Sequence, residues 1–310
     1  MSVPGYVVGP PISPAPMFTL AHLSDPHLSP LPEPSPFELA GKRLVGYVNW
    51  RLRRSIHHDP AALAVIEHDL RAQRPDHIAV LGDLINICLP AEFTLGSQFL
   101  ARLGAPQNVT LVPGNHDAYV RAHARTFLRA WGEHMRGDPP AANEPFPFVR
   151  RRGPVALIGL STALPTLPFL ATGTLGKRQI ERLAALLKDI RGEGLFRVVL
   201  IHHPPAGIRP PHKILTDAAA FREVIAACGA ELILHGHDHK ASQMSLPGPH
   251  AEVPLIGVPP ASGPALDQNP AAWNLYRIDG APGGWTCDME IRGLRSDGTA
   301  ASLGTKRIAG

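Results

Sequence analysis

The sequence predicts an α/β fold, a four-layer α/β/β/α sandwich in which two mixed sheets pack together and helices flank them. Three observations predict it. Short apolar runs alternate with segments of helical periodicity through the middle of the chain. Many of those runs end in Asp, Asn or His. After His239 the helical segments stop and strand-like runs follow one another, which indicates further strands packed on the first group.

Each predicted strand is a short apolar run bounded by polar, Gly or Pro residues. The predicted strands cover 18–24, 77–81, 109–112, 155–160, 197–201, 231–234, 253–258, 273–278 and 285–291. The first long helix is predicted to begin at Asp59–Pro60, an N-cap followed by proline at the first helical position. Further helices are predicted over 92–103, 177–190 and 221–228.

Composition limits the class of protein. A chain of 310 residues with 44% hydrophobic and 18% charged residues is typical of a globular protein with a sizeable core. The net charge of +4 suits an anionic substrate but does not by itself indicate nucleic acid. Three widely spaced cysteines, Cys88, Cys228 and Cys287, predict neither a disulfide framework nor a Cys-rich zinc site. With no signal-peptide pattern and no long apolar run, a cytoplasmic location is expected.

The predicted domain organisation is simple. Residues 1–16 are rich in proline and are expected to form a disordered lead, and translation could begin at Met17, where the first strand opens. Residues 17–295 are expected to form one domain. The polar, Gly/Ala-rich stretch 296–310 is expected to be a flexible tail.

Five predicted strands end in side chains that bind metals. These ends are Asp25-Pro26-His27, Gly82-Asp83, Gly114-Asn115-His116-Asp117, His202-His203 and Gly236-His237-Asp238-His239. Sites in open α/β sheets form beyond the carboxyl ends of the strands, so these residues are expected to converge. The glycines before Asp83, Asn115 and His237 would let the backbone turn sharply there.

The residue types indicate two divalent ions. Carboxylates, an amide and imidazoles without thiolates favour Mn, Fe or Zn. Two ions about 3.5–4 Å apart can hold the attacking and the leaving oxygen of an in-line displacement at phosphorus. Such a pair needs a bridging carboxylate, and Asp83 is the natural candidate.

This ordered set of motifs, D-x-H, G-D, G-N-H-D, H and G-H-x-H over residues 25–239, resembles that of the calcineurin-like metallophosphoesterase family. The later strands fit the second sheet of that family. The resemblance implies one metal held by Asp25, His27, Asp83 and His239, and another held by Asp83, Asn115, His202 and His237. Either His202 or His203 could be the ligand, and His202 is favoured because it comes first after the strand.

The resemblance also implies catalytic roles. A hydroxide bridging the metals would attack phosphorus in line. His116 would not bind metal; it would protonate the leaving alkoxide or stabilise charge on the phosphoryl oxygens. Asp117 would orient His116.

The substrate is predicted from weaker signals. The segments 172–179 and His202-His203-Pro204-Pro205 resemble the bacterial phosphodiesterase branch, which includes cyclic-nucleotide and glycerophosphodiester phosphodiesterases. A small anionic phosphodiester is therefore the expected substrate. The alternatives are a phosphomonoesterase, a pyrophosphatase or phosphoesterase that acts on a lipid-linked or nucleotide-sugar substrate, and a metal-free binding scaffold of the same fold. No specific nucleic-acid partner is expected, because no large basic groove or appendage is visible.

The basic segment Lys42–Arg54 interleaves Lys and Arg with aromatic and aliphatic residues. It could be an amphipathic strip that contacts a membrane or a lipid substrate. It could equally be a surface helix with solvated arginines that packs Leu44, Tyr47 and Leu52 inward. The sequence leaves both interpretations open and does not indicate the oligomeric state.

Overall fold

The computed structural model describes residues 17–123, 125–139 and 144–310, so the predicted lead over 1–16 lies outside the described residues. The strands are β1 (Phe18–Leu23), β2 (His77–Val80), β3 (Val109–Leu111), β4 (Phe148–Arg152), β5 (Val155–Gly159), β6 (Phe196–Leu200), β7 (Leu232–His235), β8 (Ser242–Leu246), β9 (Val253–Gly257), β10 (Ala272–Asp279), β11 (Thr286–Leu294) and β12 (Ala300–Ala309). The helices are α1 (Lys42–Asn49), α2 (Pro60–Gln73), α3 (Pro90–Leu103), α4 (Thr126–Trp131), α5 (Lys177–Arg191) and α6 (Ala218–Cys228). Among the described helices, none combines the length and hydropathy of a membrane span.

The strands form two mixed sheets. The first sheet has the order β12-β11-β10-β1-β2-β3 and the second has the order β4-β5-β6-β7-β9-β8. In the first sheet β1, β2 and β3 run parallel, and β10 joins β1 in the antiparallel direction. In the second sheet β5, β6, β7 and β9 run parallel. The parallel strands therefore bring their carboxyl ends, and the loops that follow them, to one edge of each sheet.

The two faces of the second sheet bury different layers. In β6, Val198 and Leu200 belong to a core shared with the first sheet, whereas Val199 belongs to a separate core with α5 and α6. This alternation is what a strand buried on both faces requires, because successive side chains point to opposite sides. The predicted pair of mixed sheets with helices outside is confirmed.

Helix α2 covers the outer face of the first sheet. It begins as predicted, since the Asp59 side chain accepts a hydrogen bond from the Ala61 amide at 2.8 Å. Leu63, Ile66 and Leu70 are buried at core spacing. Asp69 accepts hydrogen bonds from the Trp273 indole and the Arg292 guanidinium, which joins α2 to β10 and β11.

The C-terminal stretch differs from the prediction. The expected flexible tail over 296–310 is instead the edge strand β12, which pairs antiparallel with β11 from Leu294↔Ala300 to Cys287↔Ala309. Asp297 and Gly298, with φ +79° at the glycine, form the turn between them. The central side chains of β12 are exposed, so the strand carries no apolar pattern, and Ala300, Ile308 and Ala309 at its ends pack on the core. An Asp-Gly pair is typical of a β-hairpin turn, but the polar, Gly/Ala-rich composition of this stretch favours a flexible tail instead.

Candidate metal centre and active site

The predicted ligands all lie on loops that follow parallel strands. Two of these loops run side by side, because the amides of Asp25 and His27 donate to the carbonyl oxygens of Gly82 and Asp83 at 3.1 Å. The loop after β3 brings Asn115 to the same place, and the loops after β6 and β7 approach from the second sheet. The structure therefore brings together the seven side chains that the sequence singled out as ligands: Asp25, His27, Asp83, Asn115, His202, His237 and His239.

One group of donors consists of Asp25, His27, Asp83 and His239, whose donor atoms all lie within 4.8 Å of one another. His239 Nε2 is 3.2 Å from Asp25 Oδ1. His27 Nε2 is 3.2 Å from His239 Nε2 and 3.8 Å from Asp83 Oδ2. Two imidazole nitrogens and two carboxylates converge here on one point.

A second group contains Asp83, His202 and His237, with Asn115 beside them. Asp83 Oδ2 is 3.3 Å from His202 Nε2. Asn115 Oδ1 is 3.3 Å from His202 Nε2 and 3.1 Å from His237 Nδ1. Asp83 belongs to both groups, which is the position a bridging carboxylate requires.

Hydrogen bonds fix which ring nitrogens face the centre. His202 Nδ1 donates to the Leu81 carbonyl at 2.6 Å, which leaves Nε2 for the cluster. His237 Nε2 donates to the Lys213 carbonyl at 3.1 Å, which leaves Nδ1 of His237 to face the cluster. Both nitrogens of His203 are engaged elsewhere, with Thr162 Oγ1 at 2.7 Å and the Ala171 carbonyl at 3.1 Å. The geometry thus places His202 in the donor group and His203 behind it.

The backbone is strained at these positions. In the described part of the chain, eight non-glycine residues have positive φ, and five of them are predicted ligands: Asp25, His27, Asp83, His237 and His239. A left-handed conformation is costly for side chains larger than glycine, so it persists only where the surroundings impose it. Such clustering is typical of functional sites.

Asp117 supplies part of that restraint. Its carboxylate accepts hydrogen bonds from the backbone amides of Asp83 at 2.9 Å, Leu84 at 3.0 Å and Gly114 at 2.8 Å. The prediction that Asp117 orients His116 is therefore wrong, because the carboxylate is occupied by the strained turn that carries Asp83. The sequence could not reveal this, since the partners are backbone groups.

His116 takes its orientation from another residue. Its Nδ1 donates to the Asn86 carbonyl at 2.5 Å, and its own amide donates to Asp83 Oδ1 at 2.7 Å. The ring nitrogen Nε2 then faces the cavity, where Arg54 Nη1 donates to it at 3.0 Å. Burial and the Arg54 cation lower the pKa of His116 to about 3.

The predicted glycine turns have two different causes. Gly82 has φ +83°, so the left-handed turn before Asp83 uses the freedom of glycine as predicted. Gly236 is needed for space instead, because a Cβ there would collide with the side chains of Ser24 and Asp25. Only backbone at Gly236 lets the loop after β7 pass so close to the loop after β1.

The electrostatics of the centre favour cations. Burial alone would raise the pKa of Asp83, but His202 and His116 outweigh it and hold that pKa well below its usual range. Burial alone would lower the pKa of His202, but Asp83 outweighs it and raises that pKa to about 10. Asp25 Oδ1 is buried and receives no aligned hydrogen bond from the described residues, although His239 Nε2 lies 3.2 Å away. An unsatisfied buried carboxylate oxygen facing imidazole nitrogens fits a divalent cation.

Two residues of the site were missed at the sequence level. Arg54 Nη2 lies 3.2 Å from His27 Nε2, in addition to its contact with His116. His58 forms a further group of nitrogen donors with His27 and His239, and its ring stacks on Trp50 at 5.7 Å. Neither follows a strand, so the strand-end rule could not find them. The one available signal was the basic segment itself.

The centre lies in the wall of a cavity of about 520 Å³. Asp83, Asn115 and His116 line it on one side, and α1 contributes Val45 and Asn49 on another. The donors are therefore reachable by a substrate of small-molecule size.

The comparison with known families agrees with these features. The family model for calcineurin-like phosphoesterases matches residues 18–241, which include every predicted ligand. The chain belongs to the calcineurin-like phosphoesterases. The resemblance expected from the motifs is confirmed, and the family is one of phosphoester hydrolases that use divalent metals.

Individual relatives are more distant. The glycerophosphodiester phosphodiesterase GpdQ of Enterobacter lignolyticus is 25% identical over 276 residues, covering 83% of this chain and 86% of the relative. A dimetal phosphatase from Danio rerio has a TM-score of 0.57 at 12% identity, covering 94% of this chain and 99% of that one. A putative 5′-nucleotidase from Staphylococcus aureus has a TM-score of 0.51 at 12% identity, covering 90% of this chain but 54% of that one. At these identities the two solved structures show the shared fold alone.

Proposed function

We propose that the protein is a phosphodiesterase that uses two divalent ions to hydrolyse a phosphodiester such as a glycerophosphodiester or a cyclic nucleotide. The observation that carries this proposal is the pair of donor groups that share Asp83 in the wall of an open cavity. The likeness to a glycerophosphodiester phosphodiesterase over most of the chain supports diesters over monoesters. We place the reaction in the cytoplasm, as the sequence predicts.

Each donor group would hold one ion. Asp83 would belong to both, with Asp25, His27 and His239 on one side and Asn115, His202 and His237 on the other. The oxygen and nitrogen donors suit Mn, Fe or Zn. Two such ions, held by these residues, would supply activation of water near neutral pH and neutralisation of charge on the phosphoryl oxygens.

His116 would act on the substrate rather than on the ions. Because Asn86 accepts its Nδ1 hydrogen, only Nε2 is directed into the cavity. In the present structure Nε2 accepts from Arg54, so it must first take up a proton, which the negative charge of a bound phosphodiester would favour. The protonated Nε2 could then stabilise charge on a phosphoryl oxygen or pass its proton to the leaving alkoxide.

Arg54 would bind the phosphoryl group. Its guanidinium lies between His27 and His116, beside both the donor groups and the proposed catalytic histidine. A planar guanidinium presents paired donors that match two phosphoryl oxygens. A bound phosphodiester would replace the imidazole contacts of Arg54 with stronger charge-assisted hydrogen bonds.

The test compares two chromogenic substrates on the Mn²⁺-loaded protein. We expect bis-p-nitrophenyl phosphate to be hydrolysed faster than p-nitrophenyl phosphate, and Asp83→Asn to abolish both activities because it removes the shared donor. Faster monoester hydrolysis would assign the protein to the phosphatases with the same centre. A protein that binds no metal and hydrolyses neither compound would be a binding scaffold, and the proposal would be lost.

A further inference from the structure

An apolar strip is exposed beside the cavity. Helix α1 continues into a π-helical turn over Trp50–Arg54 and then a 3₁₀ turn, and together they form one helical rod. Four aliphatic side chains spaced four residues apart are exposed along this rod, and the first three of them line one groove. They are Leu44, Val48, Leu52 and Ile56, with exposed fractions of 52%, 46%, 76% and 71%. We refer to these four residues as the apolar strip.

The opposite side of the rod is firmly anchored. Arg43 is buried and donates to the carbonyl oxygens of Ile87 and Cys88, on the loop that follows Asp83. Gly46 packs so closely on Tyr119 that a Cβ would collide with it. Trp50 is buried against His58. The rod thus buries an arginine, a glycine and a tryptophan while it exposes the aliphatic residues. The alternative in which Leu44 and Leu52 pack inward is not what the structure shows.

The Lys, Arg, Asp and Glu residues of the rod itself carry charge of one sign, and the carboxylate of Asp267 contacts the rod at its end, against His57. Residues 42–57 contain five Lys or Arg and no Asp or Glu. Arg51 and Arg53 are exposed. Lys42 and Arg51 donate to the hydroxyl groups of Thr166 and Tyr47, so neither side-chain partner is a carboxylate. This surface therefore complements an anionic partner.

The strip is continuous with the catalytic cavity. A shallow groove of about 450 Å³ runs along Leu44, Val48 and Leu52. Four other residues line both this groove and the cavity that holds the metal donors: Val45, Asn49, Arg53 and Phe169. An apolar group resting in the groove would have a phosphoester linkage within reach of the centre.

We propose that the apolar strip is a docking surface for anionic lipid bilayers, so that, if the proposed phosphodiesterase function holds, its substrates are phosphodiesters of membrane lipids. A helix that presents aliphatic residues on one side and arginines beside them can lie in the interface plane of a bilayer. A soluble polyanion would leave the four aliphatic residues without a partner. A second copy seated symmetrically on the strip would bring Arg51 and Arg53 close to the same cations of its partner.

The first test measures binding to vesicles, which does not depend on activity. The full-length protein is floated with vesicles of phosphatidylcholine containing about one third phosphatidylglycerol, or with phosphatidylcholine alone. We expect binding only to the anionic vesicles, and we expect Val48→Asp/Leu52→Asp to weaken it by about tenfold or more. Leu303→Asp on β12 is the matched control, because Leu303 is 51% exposed on a strand outside the strip. Val48 and Leu52 are exposed, so the double variant should fold, and an unchanged circular dichroism spectrum and thermal unfolding midpoint check this.

A second test locates the contact. The three native cysteines are buried, so a single cysteine at Leu52→Cys can carry a polarity-sensitive fluorophore. Anionic vesicles should shift its emission to shorter wavelength, and the same fluorophore at Leu303→Cys should not respond. The proposal would be overturned if the fluorophore responded equally at the two positions, or if the double substitution left vesicle binding unchanged. It would also be overturned if the wild-type protein were an oligomer that the double substitution dissociates. If the wild-type protein binds the vesicles but does not hydrolyse diesters, the result contradicts only the proposed phosphodiesterase function.

Discussion

Arg54 Nη1 lies 3.0 Å from His116 Nε2, so the end of the basic segment reaches the loop that follows β3. The second guanidinium nitrogen, Nη2, lies 3.2 Å from His27 Nε2. One cation therefore lies between a proposed metal ligand and the proposed catalytic histidine. A residue at this junction can position a phosphoryl group relative to both.

Arg54→Gln should lower kcat/KM for bis-p-nitrophenyl phosphate by roughly 10- to 100-fold, because it removes charged hydrogen bonds to the phosphoryl oxygens. Arg54→Lys should recover part of the loss, since it restores the charge but not the paired donors. The measurement is steady-state kinetics on the Mn²⁺-loaded variants.

Arg51→Gln provides the control for Arg54. Arg51 is an exposed arginine of the same segment that does not line the cavity. An equal loss of kcat/KM in Arg51→Gln would mean that Arg54 acts only through its contribution to the overall positive charge. A loss of bound metal in Arg54→Gln would mean that Arg54 supports the structure of the metal centre.

His116→Gln should lower kcat by about 10²- to 10⁴-fold while bound metal remains at the wild-type level. The reason is that Nε2 of His116 faces the cavity, while its Nδ1 is committed to Asn86. Single-turnover kinetics and elemental analysis of the same sample check the two halves of this prediction. A fall in metal content comparable to that of Asp83→Asn would make His116 part of the metal site instead.

The neighbouring histidines of the His202–His203 pair should behave differently on substitution. His202→Gln should lose bound metal, because its Nε2 faces Asp83 and Asn115. His203→Gln should retain about two ions per chain, because both of its nitrogens are hydrogen-bonded to Thr162 and Ala171. Elemental analysis after exhaustive dialysis measures this. Equal metal loss in the two variants would contradict the assignment of His202 as the ligand.

Some residues of the site could be predicted from the sequence, and others could not. Asp83 and His237 could be found because each follows a short apolar run, and the carboxyl ends of such strands converge in α/β folds. Arg54 and His58 could not be found in this way, because they reach the site only when α1 packs on a loop that is distant in sequence. The strand β12 was missed for a related reason. It pairs with β11 along its length, but only Ala300, Ile308 and Ala309 at its two ends pack on the core, so the sequence shows no apolar periodicity there.

Acid stability should depend on a histidine outside the centre. His77 is buried at the start of β2, its Nε2 is 2.7 Å from Thr110 Oγ1, and its Nδ1 has no hydrogen-bond partner among the described residues. Burial, followed by the nearby Arg152 and Arg150, lowers the pKa of His77 to about 3. The unfolded chain binds this proton with a pKa of about 6.5. Between these two values unfolding takes up a proton, so the free energy of unfolding decreases as the pH falls.

His77→Gln should therefore reduce the pH dependence of stability. One proton corresponds to about 1.4 kcal/mol per pH unit well below pH 6.5, so the variant should lose less stability than the wild type on acidification from about pH 7 to pH 5. Urea unfolding of metal-depleted protein at several pH values measures the slope. His68→Gln, on the exposed side of α2, is the matched control and should keep the wild-type slope. If His77→Gln has the wild-type slope as well, His77 already takes up its proton in the folded protein, and its pKa in the folded state is close to that in the unfolded chain.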